Sequence, residues 1–115
     1  MPAVTPLTDA DYHARTQAVL GGIEACIDRW LDEDLIDIDG QRNGGLLELS
    51  FPNRTKIIIN TQPPLHEIWL AAKAGGYHFA FCEGAWLDTR DGTEFYALLS
   101  REASAQAGLT LKFSA

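Results

Sequence analysis

Cysteine is scarce in this chain, and basic residues are fewest where acids are densest. Only two of the 115 residues are cysteines. Cys26 and Cys82 stand far apart with no C-x-x-C pair, which excludes a disulfide framework and a thiolate zinc site and leaves two reduced, structural thiols. No apolar run approaches the roughly 20 residues that span a bilayer. The opening MPAVTPLTD has no basic stretch ahead of an apolar one and lacks the arginine richness of a transit peptide. The chain is therefore expected in the cytoplasm, without a membrane partner. Lys and Arg number nine against sixteen acids, and the bases do not cluster, so no nucleic-acid partner is expected.

The negative charge is one-sided. Residues 1–39 carry nine acids (Asp9, Asp11, Glu24, Asp28, Asp32, Glu33, Asp34, Asp37 and Asp39) against Arg15 and Arg29, a net of −7. The remaining residues carry seven acids and seven bases and are neutral overall. Such a field attracts cations or a basic partner, although an acidic helix face also serves solubility alone.

The length suits one domain over residues 1–115, and 46% apolar with 22% charged residues is ordinary for a globular chain. Residues 1–7 hold two prolines and read as a lead-in. Thr8 begins a helix, with Asp11 three residues on in the manner of a capping box. Tyr12, Val19, Leu20, Ile23, Cys26, Ile27 and Trp30 recur at helical spacing, across a Gly21-Gly22 pair that weakens the middle. The period then falls to two. Ile36 and Ile38 alternate with Asp37 and Asp39, which predicts a half-buried strand, and Asn43-Gly44-Gly45 predicts a hairpin turn. Leu47, Leu49 and Phe51 mark a second strand and Thr55–Asn60 a third, ended by Gln62-Pro63-Pro64. Glu67–Ala71, Tyr77–Phe81 and Ala85–Asp88 follow as short strands between turns. Thr93 is the expected cap of a second helix whose stripe is Phe95, Leu98, Leu99 and Ala103, ended by Gly108. The apolar tail Leu109–Ala115 is expected to pack on the helices. The sum is an α+β two-layer sandwich, with two helices on one face of an antiparallel sheet of about six strands.

Glu24, Asp28 and Asp32 fall at i, i+4 and i+8 and share one helix face. Glu33 and Asp34 follow at the helix end, then Asp37 and Asp39. Like charges at that spacing, and carboxylates at a helix C-terminus, each oppose helix formation by a few tenths of a kcal/mol. Small costs of one sign in one place point toward function. Exposed carboxylates suit hard cations such as calcium, manganese and iron, bound loosely. The run DEDLIDIDG lacks EF-hand spacing, and no Glu-x-x-His is present for a di-iron centre. His13 is a further ligand option beside Asp9 or Asp11. His66 and His78 say little. No Ser-His-acid set and no phosphate-binding glycine loop is visible, and Cys82 has no activating neighbours. An outward Trp69 is a contact anchor unless a loop or the tail covers it.

The stretch Lys56-Ile57-Ile58-Ile59-Asn60-Thr61-Gln62-Pro63-Pro64-Leu65-His66-Glu67-Ile68-Trp69-Leu70-Ala71 resembles the signature segment of the frataxin family in its bacterial form. Gly75-Gly76-Tyr77-His78-Phe79, Trp86 and Asp88-Thr89-Arg90-Asp91-Gly92 extend the likeness, which runs from about Asp9 to Gly108. The resemblance implies a fold like the one above. It implies weak binding of iron, Fe²⁺ or Fe³⁺, by the acidic ridge, with Asp9, Asp11, Glu24, Asp28, Asp32, Glu33, Asp34, Asp37 and Asp39 as the candidate ligands. It further implies that Glu24, Asp28, Asp32 and Glu33 dock on a basic patch of a cysteine desulfurase, and that Asn60, Gln62 and Trp69 face an iron–sulfur scaffold protein. The function so implied is regulation of iron–sulfur cluster assembly by a protein that is not an enzyme and is monomeric without iron. A ferroxidase or iron-storage enzyme, and an acidic adaptor with incidental metal binding, are the alternatives. Arg29 beside Asp28, a short insertion at Leu31–Asp34, and Glu67 in place of the usual Gln depart from the family pattern.

Overall fold

A computed structural model describes residues 2–115. Thr8 caps helix α1 (Asp9–Asp32), its hydroxyl accepting from the Asp11 N–H at 3.0 Å. The expected stripe, joined by Thr16, is buried along the length of this helix. The middle glycines serve no close contact, since a Cβ at Gly21 or Gly22 would meet nothing within 4 Å.

Six strands follow as an antiparallel meander in chain order: β1 (Asp39–Asn43), β2 (Leu46–Ser50), β3 (Lys56–Gln62), β4 (Glu67–Ala72), β5 (Gly75–Cys82) and β6 (Ala85–Asp88). A 3-10 turn, Pro63–Leu65, joins β3 to β4. The β1–β2 hairpin turns through Gly44, with φ of 61°, and Gly45, where a Cβ would lie 2.0 Å from the Thr61 hydroxyl oxygen. Side chains alternate across the sheet. Leu47, Leu49, Ile57, Ile59, Ile68, Leu70, Phe79, Phe81 and Trp86 point to the core.

Strand ends shift by one or two residues from the sequence reading, β3 running to Gln62 rather than Asn60 and β5 starting at Gly75 rather than Tyr77, and two larger differences have a physical cause. The alternating segment Ile36–Asp39 is not a strand, because β1 begins at Asp39, opposite Ser50, the last residue of β2. Residues before Asp39 have no partner strand, for beyond Ser50 the chain turns away through Pro52–Arg54. Ile38 is buried and Ile36 half-buried, so the period of two records a link dipping into the core without pairing. The second correction concerns the cap of α2 (Phe95–Ala107), which is Glu94 rather than Thr93. The Glu94 carboxylate accepts from the Tyr96 and Ala97 N–H groups at 2.7 and 3.1 Å. The backbone of Thr93 is taken up by the preceding turn, where its carbonyl accepts from Asp88 and its N–H donates to the Asp91 carboxylate.

Phe95, Leu98, Leu99 and Ala103 bury α2 against the sheet, and Gly108, with φ of 73°, ends it. The tail packs on the helices as expected. Ser100 and Ser104 exchange hydrogen bonds with the backbone of Phe113 and Leu111, and Phe113 lies edge-on to Trp30 with ring centroids 4.8 Å apart. At the β6 edge, Glu94 bridges Leu87. β1, exposed along its whole length, is the opposite edge.

Candidate functional site

The C-terminal end of α1 closes through a chain reversal. The Leu35 N–H donates to the Trp30 carbonyl at 2.8 Å and the Asp34 N–H to that of Leu31 at 3.0 Å, with Asp34 left-handed at φ of 54°. This is the Schellman arrangement, whose left-handed position glycine usually fills. It sets Asp32, Glu33 and Asp34 on one exposed knob, with Asp28 a turn earlier, Asp37 in the link and Asp39 at the start of β1. Among the described residues none of these six carboxylates has an ion-pair partner.

The strand does run beside the helix, and it takes one acid out of the ridge. The Arg42 guanidinium, from β1, donates to Glu24 at 2.6 Å and also to Gln17. Asp9 and Asp11 stand apart, since 24 residues of helix separate the ends of α1 by about 35 Å. Asp9 pairs with His66 Nε2 at 2.7 Å, and His13, a helical turn on, lines the same hollow as Asp9. Among the described residues no three His, Cys, Asp or Glu side chains gather closely enough to hold one ion. What the ridge offers is a line of single, solvated carboxylates, suited to loose contact with hard cations and to long-range attraction of a basic surface.

The second candidate surface is the sheet face turned away from the helices. Asn60 lies opposite Trp69, Gln62 opposite Glu67, and Trp69 opposite His78. Trp69 is half-buried, and the tail does not cover it. Its indole stacks on the His78 ring, with centroids 4.1 Å apart and planes 6° from parallel, and Nε1 donates to the Glu67 carboxylate at 2.9 Å. The ring is thereby fixed beside a shallow hollow of about 210 Å³ that Asn60, Ala71 and His78 also line. Larger hollows lie elsewhere, one of about 720 Å³ beside Tyr12 and His13 and one of about 580 Å³ beside Arg15 and Phe113. A protein-docking face needs neither.

Tyr12, in the first turn of α1, ties that helix to the β3–β4 connection beside the sheet-face residues, a role the sequence did not reveal. Its hydroxyl donates to the Glu67 carbonyl at 2.6 Å and accepts from the Gln62 N–H at 2.9 Å. Burial is the chief cause that pushes its pKa above the ordinary tyrosine value, so the hydroxyl keeps the proton it donates. His66, left-handed at φ of 52°, stacks on the same ring at 4.8 Å. The partners are 50 or more residues apart in sequence, beyond the reach of any local pattern.

A helix pair on one face of a six-stranded antiparallel meander, an acidic helix end and an open sheet face with a fixed Trp define a frataxin-type architecture. The chain belongs to the frataxin family, the frataxin-like domain matching residues 5–109. It is 51% identical over 109 residues to the iron-sulfur cluster assembly protein CyaY of Burkholderia mallei, covering 95% of this chain and 100% of that one. The frataxin of Psychromonas ingrahamii, of the CyaY family, shares its fold with a TM-score of 0.82 and 37% identity, over 95% of this chain and 100% of that one. Trimeric frataxin from Saccharomyces cerevisiae, complexed with ferrous iron, matches with a TM-score of 0.64 and 26% identity, over 94% and 93% of the two chains.

Proposed function

We propose that this chain is a single-domain, non-enzymatic regulator of iron–sulfur cluster assembly in the cytoplasm, binding iron weakly and acting on a complex of cysteine desulfurase and scaffold protein. The observation that carries the reading is the set of six exposed carboxylates, without ion pairs among the described residues, at the end of α1 and the start of β1, on a chain 51% identical to a protein named for cluster assembly. Asp28, Asp32, Glu33, Asp34, Asp37 and Asp39 are the principal iron ligands. Glu24, held by Arg42, joins when a cation or a basic partner displaces that arginine. Asp9 and Asp11 form a separate, weaker outpost. Each site offers few ligands, so binding is loose and falls as salt rises. The same field draws in the basic face of the desulfurase, while Asn60, Gln62 and Trp69 meet the scaffold protein.

The test is anaerobic sulfide production by a purified bacterial cysteine desulfurase with its scaffold, titrated with this protein with and without Fe²⁺. A saturable, iron-dependent change in rate is expected, and charge reversal at Asp28, Asp32, Glu33 and Asp37 should abolish it. An unchanged rate with no complex formed would remove the assignment. Oxygen consumption by the iron-loaded chain above the rate of free iron would instead favour a ferroxidase.

A further inference from the structure

We propose that Leu31 and Leu35 form an apolar anchor within the acidic ridge, and that this end of α1 seats on a basic protein surface with an apolar hollow between its cations. The inference rests on the functional reading above and deepens it, naming how that partner is held.

Four large hydrophobic residues are exposed among the described ones, and two of them are Leu31 at 48% and Leu35 at 47%. Both belong to the segment that carries the ridge. The core takes its contacts here from Ile27, Trp30 and Ile38, and although an apolar residue at the position of Leu35 commonly serves this kind of cap, about half of each leucine is left in solvent. Asp28, Asp32, Glu33, Asp34 and Asp37 surround the pair in sequence, all exposed and without ion pairs among the described residues. That charge selects the occupant. An acidic ridge repels a second copy of itself, a nucleic acid and an anionic lipid surface alike, and complements a protein face bearing Arg and Lys.

The backbone makes the pair ready to bind. The bonds from the Leu35 N–H to the Trp30 carbonyl and from the Asp34 N–H to the Leu31 carbonyl fix the backbone that carries both leucines against the last helical turn. Groups already held lose little freedom on association. In such an interface the outer charges set the encounter rate and orientation, and the apolar centre sets how long the complex lasts.

The experiment measures binding of the full chain to purified bacterial cysteine desulfurase with its scaffold across a range of salt concentrations. Leu31→Gln with Leu35→Gln should weaken binding about tenfold at every salt concentration, leaving the slope against salt and the iron affinity unchanged. Asp32→Asn with Glu33→Gln should instead flatten the slope. Leu35→Gln alone lies outside the helix, keeps the backbone bond to Trp30 and repeats the test, with urea denaturation checking that the cap still holds. A leucine variant that binds like the native chain at every salt concentration overturns the anchor and leaves the functional reading standing. Absence of binding by the native chain overturns that reading, and the anchor with it.

Discussion

Asp34 occupies a backbone position that glycine fills with less strain. Its φ of 54° is the left-handed value of a helix-ending cap, and its carboxylate sits where the helix dipole is negative, next to Asp32 and Glu33. Backbone and charge both disfavour an acid there, and local stability does not explain it. A role in presenting charge does. Asp34→Gly should therefore raise unfolding free energy by about 1 kcal/mol, read from urea denaturation at low salt, while lowering iron affinity. A variant no more stable than the native chain would show that the cap carries no strain. Sequence reading found the acid but not its conformation, because a left-handed cap is announced by glycine, and here the glycine is missing. The same limit hid His66, whose left-handed turn follows two prolines and whose partner, Asp9, is 57 residues away.

Among the elements, α1 shows how packing overrides propensity. Gly21 and Gly22 interrupt a 24-residue helix, yet its buried stripe holds it in one piece. Neither glycine has a neighbour that requires it, since a Cβ at either meets open space. Gly21→Ala and Gly22→Ala should each stabilise the fold by about 1 kcal/mol, measured as a shift in denaturation midpoint at constant m-value. Destabilisation by either would mean that the helix relies on the backbone freedom at that point. Helices, hairpin turns and the order of the strands were legible because each rests on a local period or a turn residue. β1 was not. Asp-Gly-Gln-Arg-Asn has no apolar alternation, and it is a strand because β2 offers a partner from Asp39 to Asn43. The more strand-like Ile36–Ile38 lacks such a partner. Pairing across the sheet, rather than pattern along the chain, decided that boundary.

For the molecule as a whole, the net charge of −7 belongs to the part that builds α1 and opens β1, while Asn60, Gln62 and Trp69 lie on β3 and β4 in a part of zero net charge. Two to three strand spacings, about 10 to 14 Å, separate β1 from β3 and β4, more than the Debye length of about 8 Å at physiological salt. Two surfaces so placed should act on a partner complex independently. One works through a screened field, and the other through a Trp ring fixed by His78 and Glu67. Asn60→Ala, Gln62→Ala and Trp69→Ala together should therefore weaken binding to the desulfurase–scaffold complex equally at low and high salt and leave iron binding intact. Charge reversal at Asp28, Asp32 and Glu33 should weaken it most at low salt and reduce iron binding as well. Because the sites share no contacts, the losses in binding free energy should add to within about 0.5 kcal/mol when both sets are combined. A combined loss well short of that sum would mean that the complex couples the two surfaces through the partner, since within this chain no hydrogen bond among the described residues joins Asp28, Asp32 or Glu33 to Asn60, Gln62 or Trp69.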